Sequence, residues 1–595
     1  MRPINSSEIP RLAERSLPAA VFKSIARREG QVFLRFLSPG VPAPRSVTFG
    51  EFGRSIRSAI GWLRGKGFGA GDRLVLLAEN SPEWQIFAFA AQVLRGEPVA
   101  LFANLGAVPA QAAALASAPR VLFVSGQGQW DKVAPCLGEL QAKGLREIVS
   151  VGPLSIAAGA GSLQAATSAA EALQTPPIDD ADLGALIESV GPGDPFLMLF
   201  TSGTVRPKGV RVPQRAIVTT VENGRFASGL DERDEGLQFL PFGHIAGQCQ
   251  FAVALVVGHP LILVASRDDI SRGFALGPTN AFSVPLIYER IRAGVEAQIA
   301  ERPLPVRKAL QAALDAAARV RCQGSRAPVD RLLAAAADLL IGRKVKARLG
   351  GRLRKMFAGG AATPPALHRF FESLGLPYVN FYGLSETAGV ISYTVHDRER
   401  PIGSAGAVTP DLELRIEPDG EICVRGPLVM TGYLDAADQA EAMTADGFFR
   451  TGDLGEVRSG ELLITGRKKH LFVLSTGKKM SPEPVEQAIA STPPFLGAVL
   501  LGDGKPYLSA AVFIAADELA RRRANGADAD KDLLELARSQ LAAFSDYEKP
   551  KKLLLVPGAP TDEPSILTPS FKLKREAFGK WKAAEIEALY AAPKG

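Results

Sequence analysis

Short apolar runs that alternate with amphipathic stretches are the feature that most constrains the fold of this chain. Residues 73–78 form one such run and precede a predicted helix that begins at Ser81, and residues 120–124 form another. Apolar runs of this length, bounded by Gly, Pro or Asp, are typical of strands buried on both faces. The alternation therefore predicts an α/β architecture with largely buried strands.

The length of the chain and two changes in its pattern predict separate domains. At 595 residues the chain exceeds the size that one hydrophobic core usually reaches. After about residue 404, short strand-like segments are separated by turns, and a new α/β pattern follows residues 466–470. We predict an N-terminal domain over residues 1–468, made of packed α/β subdomains and a β-rich subdomain, and a small, mobile α+β C-terminal domain over residues 469–595.

Positive charge is concentrated in one segment. The net charge of +7 is too dilute over the whole chain to indicate a nucleic-acid partner. Residues 301–360 contain 14 Lys or Arg against 4 Asp or Glu, and their apolar residues recur at helical spacing. We predict a basic helical insert over about residues 301–356. Two interpretations of its charge stay open: contact with anionic lipid headgroups or a polyphosphate ligand, and an ordinary solvated helix face.

The cysteines and the apolar windows favour a cytoplasmic protein. The four cysteines lie far apart without a Cys-x-x-Cys pair, so neither a disulfide framework nor a zinc site is predicted. The first eight residues lack the apolar core of a secretory signal, and the most apolar window, residues 251–265, is short and interrupted at residues 258–260. We predict a cytoplasmic location without a membrane span, and any membrane contact would be peripheral.

Three segments carry candidate chemistry. Residues 199–210 form a small, hydroxyl-rich loop with a lysine near its end, which suits a polyphosphate but lacks P-loop spacing and is otherwise an ordinary loop. Residues 380–387 combine two aromatic rings with a glutamate, which suits purine stacking and Mg²⁺ binding. In residues 449–453, the carboxylate of Asp453 either takes both hydroxyls of a ribose or caps its own turn.

These segments resemble an established enzyme family. Together with residues 466–470 and 568–575, they occur in the order that characterises the acyl-adenylate-forming (AMP-binding) superfamily, and the similarity extends from about residue 22 to residue 582. Within that superfamily the chain is most similar to the long-chain fatty acyl-CoA synthetases. The features typical of that branch are the segment 283–291, the basic insert that ends before residues 359–361, the segment 502–510 and the tail at residues 567–575.

The resemblance implies a reaction in two steps that uses ATP, Mg²⁺ and coenzyme A. A carboxylate attacks the α-phosphate to give an acyl-adenylate and pyrophosphate, and the thiol of coenzyme A then displaces AMP. The expected enzyme is a long-chain fatty acid–CoA ligase that forms AMP. The alternatives are an acyl-AMP ligase that delivers to a carrier protein, a CoA ligase for an aryl or other carboxylate, and a catalytically impaired nucleotide-binding homologue.

The resemblance also assigns nucleotide contacts. Thr201 and Glu386 would ligate Mg²⁺, while Lys208 would act as a mobile cation on the phosphates. Tyr382 would stack on the adenine, and Asp453 with Arg467 would hold the ribose. The remaining positions assigned to ATP or AMP are Ser202, Gly203, Thr204, Gly359, Gly360, Ala361, Phe381, Gly383 and Ser385.

Further residues are assigned to catalysis and domain movement. Lys572 would contact the carboxylate and the α-phosphate during adenylation, and Lys574, two residues away, is the competing candidate. His244 matches a family position near the acyl pocket, although a core histidine is the alternative. The hinge would lie at Lys469. The loop assigned to coenzyme A includes Gly477 and Lys478.

Two departures from the family pattern bear on function. The phosphate loop has Val205 and Arg206 where a threonine and a glycine are usual, so the loop is either stiffer or gains a guanidinium contact to phosphate. This departure motivates the impaired alternative. Gln248 stands where some bacterial relatives carry a gate tryptophan, so we expect a differently gated acyl entrance. Cys249 is expected to line the pocket rather than act as a nucleophile.

Overall fold

The computed structural model describes residues 4–156, 166–200, 208–476, 478–524, 528–542, 544–568 and 573–591. Its strands are β1 Val32–Leu37, β2 Arg45–Thr48, β3 Arg73–Ala78, β4 Glu97–Phe102, β5 Val121–Val124, β6 Glu147–Ser150, β7 Thr167–Ser168, β8 Pro195–Phe200, β9 Gly209–Pro213, β10 Gly236–Gln238, β11 Leu261–Val264, β12 Asn280–Ser283, β13 Lys355–Gly359, β14 Tyr378–Tyr382, β15 Ser392–Tyr393, β16 Ala407–Val408, β17 Glu413–Ile416, β18 Glu421–Arg425, β19 Gly432–Tyr433, β20 Phe449–Arg458, β21 Glu461–Arg467, β22 Phe472–Val473, β23 Lys479–Met480, β24 Phe495–Leu501, β25 Ser509–Ile514 and β26 Leu553–Pro557.

The α-helices lie between these strands and cover them. They are α1 Leu17–Ala26, α2 Phe49–Gly65, α3 Pro82–Val93, α4 Ala107–Ser117, α5 Gln127–Val133, α6 Leu137–Ala142, α7 Ala169–Ala172, α8 Asp180–Ser189, α9 Gln214–Ser228, α10 Ile245–Val257, α11 Ile270–Ala275, α12 Pro285–Ala300, α13 Leu304–Cys322, α14 Pro328–Ala337, α15 Arg343–Arg348, α16 Pro365–Ser373, α17 Ala436–Ala442, α18 Pro482–Ala490, α19 Ala516–Ala524, α20 Ala529–Ser539, α21 Arg575–Trp581 and α22 Ala583–Tyr590.

The first sheet has the order β19-β9-β8-β4-β3-β5-β6-β7, and its strands from β8 through β7 run parallel. Every residue of β4 is buried, as expected for a strand covered on both faces. Helix α3 begins where the sequence predicts, because the Ser81 hydroxyl accepts a hydrogen bond from the Trp84 N–H and Pro82 occupies the first turn. The predicted buried strands and their covering helices are therefore present.

The second sheet has the order β16-β15-β14-β13-β12-β10-β11-β1-β2. Strands β10 to β14 run parallel, so their carboxyl ends meet at one edge of the sheet. Helices α9 and α10 pack against each other beside this sheet. Ligands of open α/β sheets bind outside the carboxyl ends of the strands, and this edge therefore positions the candidate site.

A separate β-rich sheet follows, with the order β17-β18-β20-β21 and antiparallel pairing throughout. The β20–β21 hairpin places Asp453 directly opposite Arg467. Residues after Arg467 form a smaller α+β unit in which β24, β25 and β26 make a sheet around a core that includes Val485 and Leu533.

The C-terminal unit contacts the N-terminal part through helix α12. The buried guanidinium of Arg292 donates to the carbonyl oxygens of Ala490 and Ser491, each at 3.3 Å. Arg290 forms an ion pair with Asp562 at 3.1 Å. These contacts fix the orientation in which the structure holds the two parts.

The basic segment forms the helices α13, α14 and α15, with a π-helical turn at Asp338–Gly342 between the last two. Its inner face packs into the core through Ala313, Leu314 and Ala317. Large apolar side chains nevertheless remain exposed along it, at Leu304, Val306, Val329, Leu332, Leu339 and Leu340. Among the described residues, no helix is long and apolar enough to cross a bilayer.

Candidate active site

Three of the predicted nucleotide residues converge on one carboxylate. Asp453 is 3% exposed, and its side chain accepts a hydrogen bond from the Tyr382 hydroxyl at 2.8 Å. Nε of Arg467 donates to the other carboxylate oxygen at 2.6 Å. Tyr382 ends β14, whereas Asp453 and Arg467 face each other across β20 and β21. The β-rich sheet therefore meets the carboxyl edge of the parallel sheet at this cluster.

The environment keeps Tyr382 protonated. Burial and the adjacent Asp453 carboxylate raise the pKa of Tyr382 well above its ordinary value. The phenol is thus a neutral hydrogen-bond donor at any pH at which the protein works. The Asp453 backbone N–H is held in turn by the Thr451 hydroxyl at 3.1 Å, which fixes the turn. Asp453 therefore combines its side-chain contacts with the local turn that the sequence also suggested.

Glycine residues beside this cluster leave the backbone uncovered by side chains. A Cβ atom on Gly383 would lie 2.4 Å from the Gly389 carbonyl carbon, so only glycine fits there. Gly359 ends β13, and Gly360 has a φ of +79°, a conformation that glycine adopts at little cost. Ala361 follows on the exposed surface. Gly360 and Ala361 therefore leave backbone accessible after β13, whose last residue, Gly359, lies opposite Phe381 in the sheet.

A second cluster joins Lys208 to Glu386. The Tyr433 hydroxyl donates to Oε1 of Glu386 at 2.8 Å, and Nζ of Lys208 lies 5.3 Å from the centre of the Tyr433 ring. Lys208 also forms an ion pair with Asp438 at 2.9 Å. Burial and the Glu386 carboxylate raise the pKa of Tyr433, so it remains a neutral donor. The predicted cation and the predicted metal-binding carboxylate thus contact the same tyrosine, Lys208 at its ring and Glu386 at its hydroxyl.

The donor set at Glu386 is compatible with Mg²⁺. Among the described residues, no three His, Cys, Asp or Glu side chains form a ready-made metal cage. Mg²⁺ usually uses one or two carboxylates together with substrate phosphates and water, and the single half-buried Glu386 fits that pattern. Glu386 lies in a short 3₁₀ turn that begins at Ser385.

A mostly apolar pocket lies at this edge, within the N-terminal part. Small residues of α9 at positions i, i+4 and i+8 leave room on one side of the pocket, namely Thr220, Gly224 and Ser228. Gly359 and Gly360 line the same pocket, so it opens next to the nucleotide cluster.

The opposite wall begins at His244, which caps the N-terminus of α10. Its Nδ1 accepts a hydrogen bond from the Ala246 N–H at 3.1 Å, so a neutral imidazole carries its proton on Nε2. His244 lines the pocket together with Phe381. Phe381 packs against the Phe282 and Phe357 rings, on the opposite side of the strand from Tyr382. His244 therefore borders the pocket rather than filling the core.

Of two neighbours of His244 that the sequence singled out, Cys249 lines the same wall of the pocket and Gln248 is not part of the lining. Burial raises the pKa of Cys249 to about 12, so the thiol stays protonated and serves as pocket lining. Gln248 is held in place: its amide donates to the Phe242 carbonyl oxygen at 2.6 Å and accepts from Gln85 at 3.2 Å. A buried glutamine with two side-chain hydrogen bonds therefore stands at the sequence position of the expected gate.

The remaining predicted residues lie elsewhere. Lys469 is exposed between Lys468, which pairs with Asp419 and Glu421, and His470, which contacts Glu483 at 2.7 Å. Lys478 lies over the Tyr547 ring, away from the nucleotide cluster. Thr201, Ser202, Gly203, Thr204, Gly477 and Lys572 fall outside the described residues. Lys574 is exposed at the start of α21.

Sequence reasoning missed Tyr433 and Asp438, which complete the Lys208 cluster. Neither belongs to a segment with a recognisable chemical pattern. It also missed the polar side chains in the deep part of the pocket, Gln250, His259 and Asn280.

Comparison with known proteins identifies the family. A model of AMP-binding enzymes matches residues 21–434, and a model of the AMP-binding enzyme C-terminal domain matches residues 469–594. The proteins named long-chain-fatty-acid–CoA ligase FadD15 from Mycobacterium bovis and Mycobacterium tuberculosis are each 30% identical to this chain over 570 residues. The alignments cover 91% of this chain and 92% of those proteins.

Solved structures share the fold. The A domain of carboxylic acid reductase from Segniliparus rugosus, in complex with AMP and a co-purified carboxylic acid, has a TM-score of 0.74 at 20% identity and covers 97% of this chain and 94% of its own. Anthranilate CoA ligase AuaEII has a TM-score of 0.73 at 17% identity, with 98% and 100% covered. The predicted fold class is confirmed. By its matched length and its relatives, this chain belongs to the AMP-binding enzyme family.

Proposed function

We propose that the protein activates a fatty acid with ATP, through an acyl-adenylate, and transfers the acyl group to coenzyme A. The observation that carries the proposal is the apolar pocket that opens beside the Tyr382–Asp453–Arg467 cluster. A nucleotide held at that cluster has its phosphates near the mouth of a pocket suited to an alkyl chain. The relatives named long-chain-fatty-acid–CoA ligases support the same activity.

The first half-reaction is nucleophilic displacement at the α-phosphorus. A carboxylate oxygen of the fatty acid forms a bond to phosphorus while the bond to pyrophosphate breaks. In the proposal, Asp453 binds the ribose, the glycine edge lies along the adenine, and Lys208 balances negative charge on the phosphates. Glu386, with Thr201, would hold Mg²⁺, which when bound neutralises phosphate charge.

The second half-reaction transfers the acyl group to sulfur. The thiol of coenzyme A attacks the acyl carbon, the bond to AMP breaks, and the thiol proton leaves to solvent or a base. We propose that the C-terminal unit turns at Lys469 between the two steps. In support, Lys468 forms an ion pair with Glu421 of the β-rich sheet, and His470 contacts Glu483 of α18. Lys469 therefore lies between two residues that are held by different parts of the protein.

The activity is tested by pyrophosphate release from Mg-ATP with a panel of saturated acids of graded length and several aryl acids. Each acid is assayed with and without coenzyme A, and products are identified by mass spectrometry. We expect release to be greatest with long-chain acids and acyl-CoA to form when coenzyme A is present. Adenylate formation without thioester would instead favour an acyl-AMP ligase, and a preference for aryl acids would overturn the fatty-acid assignment.

We further propose that the helical insert contacts an anionic membrane. Exposed apolar side chains at Leu339 and Leu340 adjoin exposed cations at Arg343 and Lys344, the combination that favours an anionic lipid surface. Part of the positive charge serves the fold instead: Arg319 pairs with Asp330 at 2.7 Å. The available charge is therefore smaller than the sequence count.

The membrane contact is tested by sedimentation with vesicles of neutral lipid and of mixed neutral and anionic lipid. Replacing Arg343, Lys344 and Arg348 by Gln should weaken binding to anionic vesicles about a hundredfold, at ~1 kcal/mol for each charge. Lys346 is left unchanged because it donates to the Gly375 carbonyl oxygen. Equal binding of both proteins to anionic vesicles would assign the insert to the solvated-face interpretation.

A further inference from the structure

The pocket changes character along its length. Its middle is apolar, with Val253, Phe357 and Val390 in its walls. Its far part is lined by polar side chains, and these include His259 and Asn280, each 1% exposed. An alkyl chain alone offers no hydrogen bond to such groups, and buried polar atoms without partners are costly. An unsubstituted acyl chain would therefore leave the polar groups at the far end of the pocket without a hydrogen-bond partner.

His259 presents a hydrogen-bond acceptor there. Its Nδ1 lies 3.0 Å from the Pro260 carbonyl oxygen, which can only accept, so the proton is on Nδ1. Burial lowers the pKa of His259, and the ring is accordingly neutral. Its Nε2 then carries a lone pair, and no partner for it exists among the residues that the structure describes. Because Nδ1 is turned to the carbonyl, Nε2 is the ring nitrogen left for another donor, and His259 is one of the residues that line the pocket.

Gln250 presents a second acceptor. Its amide nitrogen donates to the Leu237 carbonyl oxygen at 2.9 Å, which fixes the orientation of the amide group. The other amide atom, Oε1, is buried and likewise lacks a partner within the described part of the chain. The two acceptors flank the start of β10: a Cβ on Gly236 would lie 3.4 Å from the His259 ring, and Leu237 is the next residue.

The chemistry of these two atoms selects the missing group. Both accept, so the group must donate, and this excludes a keto oxygen, an ether or a bare methyl end. Among the described residues that line the pocket there is no carboxylate to balance an ammonium, and burying an unpaired charge is unfavourable. A hydroxyl is neutral, donates one hydrogen bond and fits within an acyl chain.

We propose that the far end of the pocket recognises a hydroxyl on the acyl chain, so that the protein prefers hydroxylated fatty acids to plain ones of equal length. The inference rests on the proposed function, because it assigns the pocket to the acyl group. Asn280 lies opposite Lys355 in the sheet, and Lys355 is four residues before Gly359, which lines the pocket at its mouth. At ~3.3 Å per strand residue this is about 13 Å, so the hydroxyl lies well along the chain and not beside the carboxylate.

The wild-type protein tests the proposal directly. Saturated acids of one length, either plain or with a single hydroxyl at the second, third, a middle or the terminal carbon, are compared by kcat/KM for pyrophosphate release. We expect kcat/KM for the acid hydroxylated at one middle or terminal position to exceed that for the plain acid about tenfold, which corresponds to the free energy of one well-made buried hydrogen bond. Equal values at every position would overturn the proposal. Failure with all acids, plain ones included, would instead overturn the proposed function.

A variant locates the effect. His259→Phe keeps an aromatic ring and removes the acceptor, so the ratio of kcat/KM for the preferred hydroxylated acid to that for the plain acid should fall to about one, whatever the change in the two separate values. The matched control is His368→Phe, because His368 is equally buried but lies outside the pocket. Its preference should equal that of the wild type. A preference that survives in a folded His259→Phe protein would contradict the assignment to His259.

Discussion

The two ends of the pocket differ in how their polar groups are satisfied. At the mouth, Asp453 binds Tyr382 and Arg467, so each of these polar side chains already has a protein partner. At the far end, His259 and Gln250 each keep one buried acceptor for which the described residues provide no donor. The mouth is therefore organised before any ligand binds, whereas the far end is completed by what enters it.

This difference separates two tasks. A preorganised cluster holds reacting groups in place and reduces the reorganisation needed in the transition state. A cluster with unpaired acceptors discriminates among ligands, because a ligand that leaves a buried polar atom unpaired binds less well. We therefore expect substitutions at the mouth to change rates for every acid, and substitutions deeper in the pocket to change which acid is used.

The largest effect is expected from Lys572→Ala. Because we propose that Lys572 contacts the carboxylate and the α-phosphate, its loss should lower adenylation about a thousandfold for all acids, while thiolysis of a supplied acyl-adenylate continues. Both half-reactions are measured separately, and Lys580→Ala, on an exposed turn of α21, is the neutral control. If Lys574→Ala reproduces the loss and Lys572→Ala does not, the assignment moves to Lys574.

The next effect is expected at Asp453. Asp453→Asn removes the charge that holds Arg467 and weakens the contact proposed for the ribose, so kcat/KM for ATP should fall about a hundredfold with every acid. Asp446→Asn serves as the control, since Asp446 forms an exposed pair with Arg415 on the same sheet. A loss confined to long acids would contradict the division between the two ends.

A smaller effect is expected at Tyr433. Tyr433→Phe keeps the ring beside Lys208 and removes the hydroxyl that donates to Glu386. The adenylation rate should fall about tenfold at limiting Mg²⁺ and partly recover at high Mg²⁺, because Glu386 loses its orienting bond. Titration of the rate with Mg²⁺ measures this. A uniform loss that Mg²⁺ does not relieve would place Tyr433 outside the proposed metal site.

The effect expected at the middle of the pocket is limited to long acids. Val253 lies opposite Gly224, where a Cβ would already come within 3.0 Å of it. Val253→Phe should narrow the passage and lower kcat/KM for long acids about tenfold, with short acids as the internal control because they do not reach it. If short and long acids are affected equally, the chain does not pass Val253.

The sequence was more informative about the mouth than about the far end, for a physical reason. Tyr382 and Arg467 end β14 and β21, and Asp453 lies within β20. All three belong to segments of recognisable composition, and sheet pairing places Asp453 opposite Arg467. Tyr433 belongs to the Lys208–Glu386 cluster, where the antiparallel pairing of β19 with β9 places it, and the residues of β19 alone do not predict that pairing. His259 follows the end of α10, and its position in the pocket depends on how α10 packs against β10 and β12. Such meetings of distant segments are set by packing, which no single segment encodes.

The most direct test of this account is a structure of the protein with a non-hydrolysable long-chain acyl-adenylate analogue that carries a hydroxyl at the preferred position. The account predicts the ribose on Asp453, the acyl chain between α9 and α10 past Val253, and the hydroxyl within hydrogen-bond distance of Nε2 of His259. An acyl chain that leaves the nucleotide in another direction, with the far end of the pocket filled by water, would contradict it.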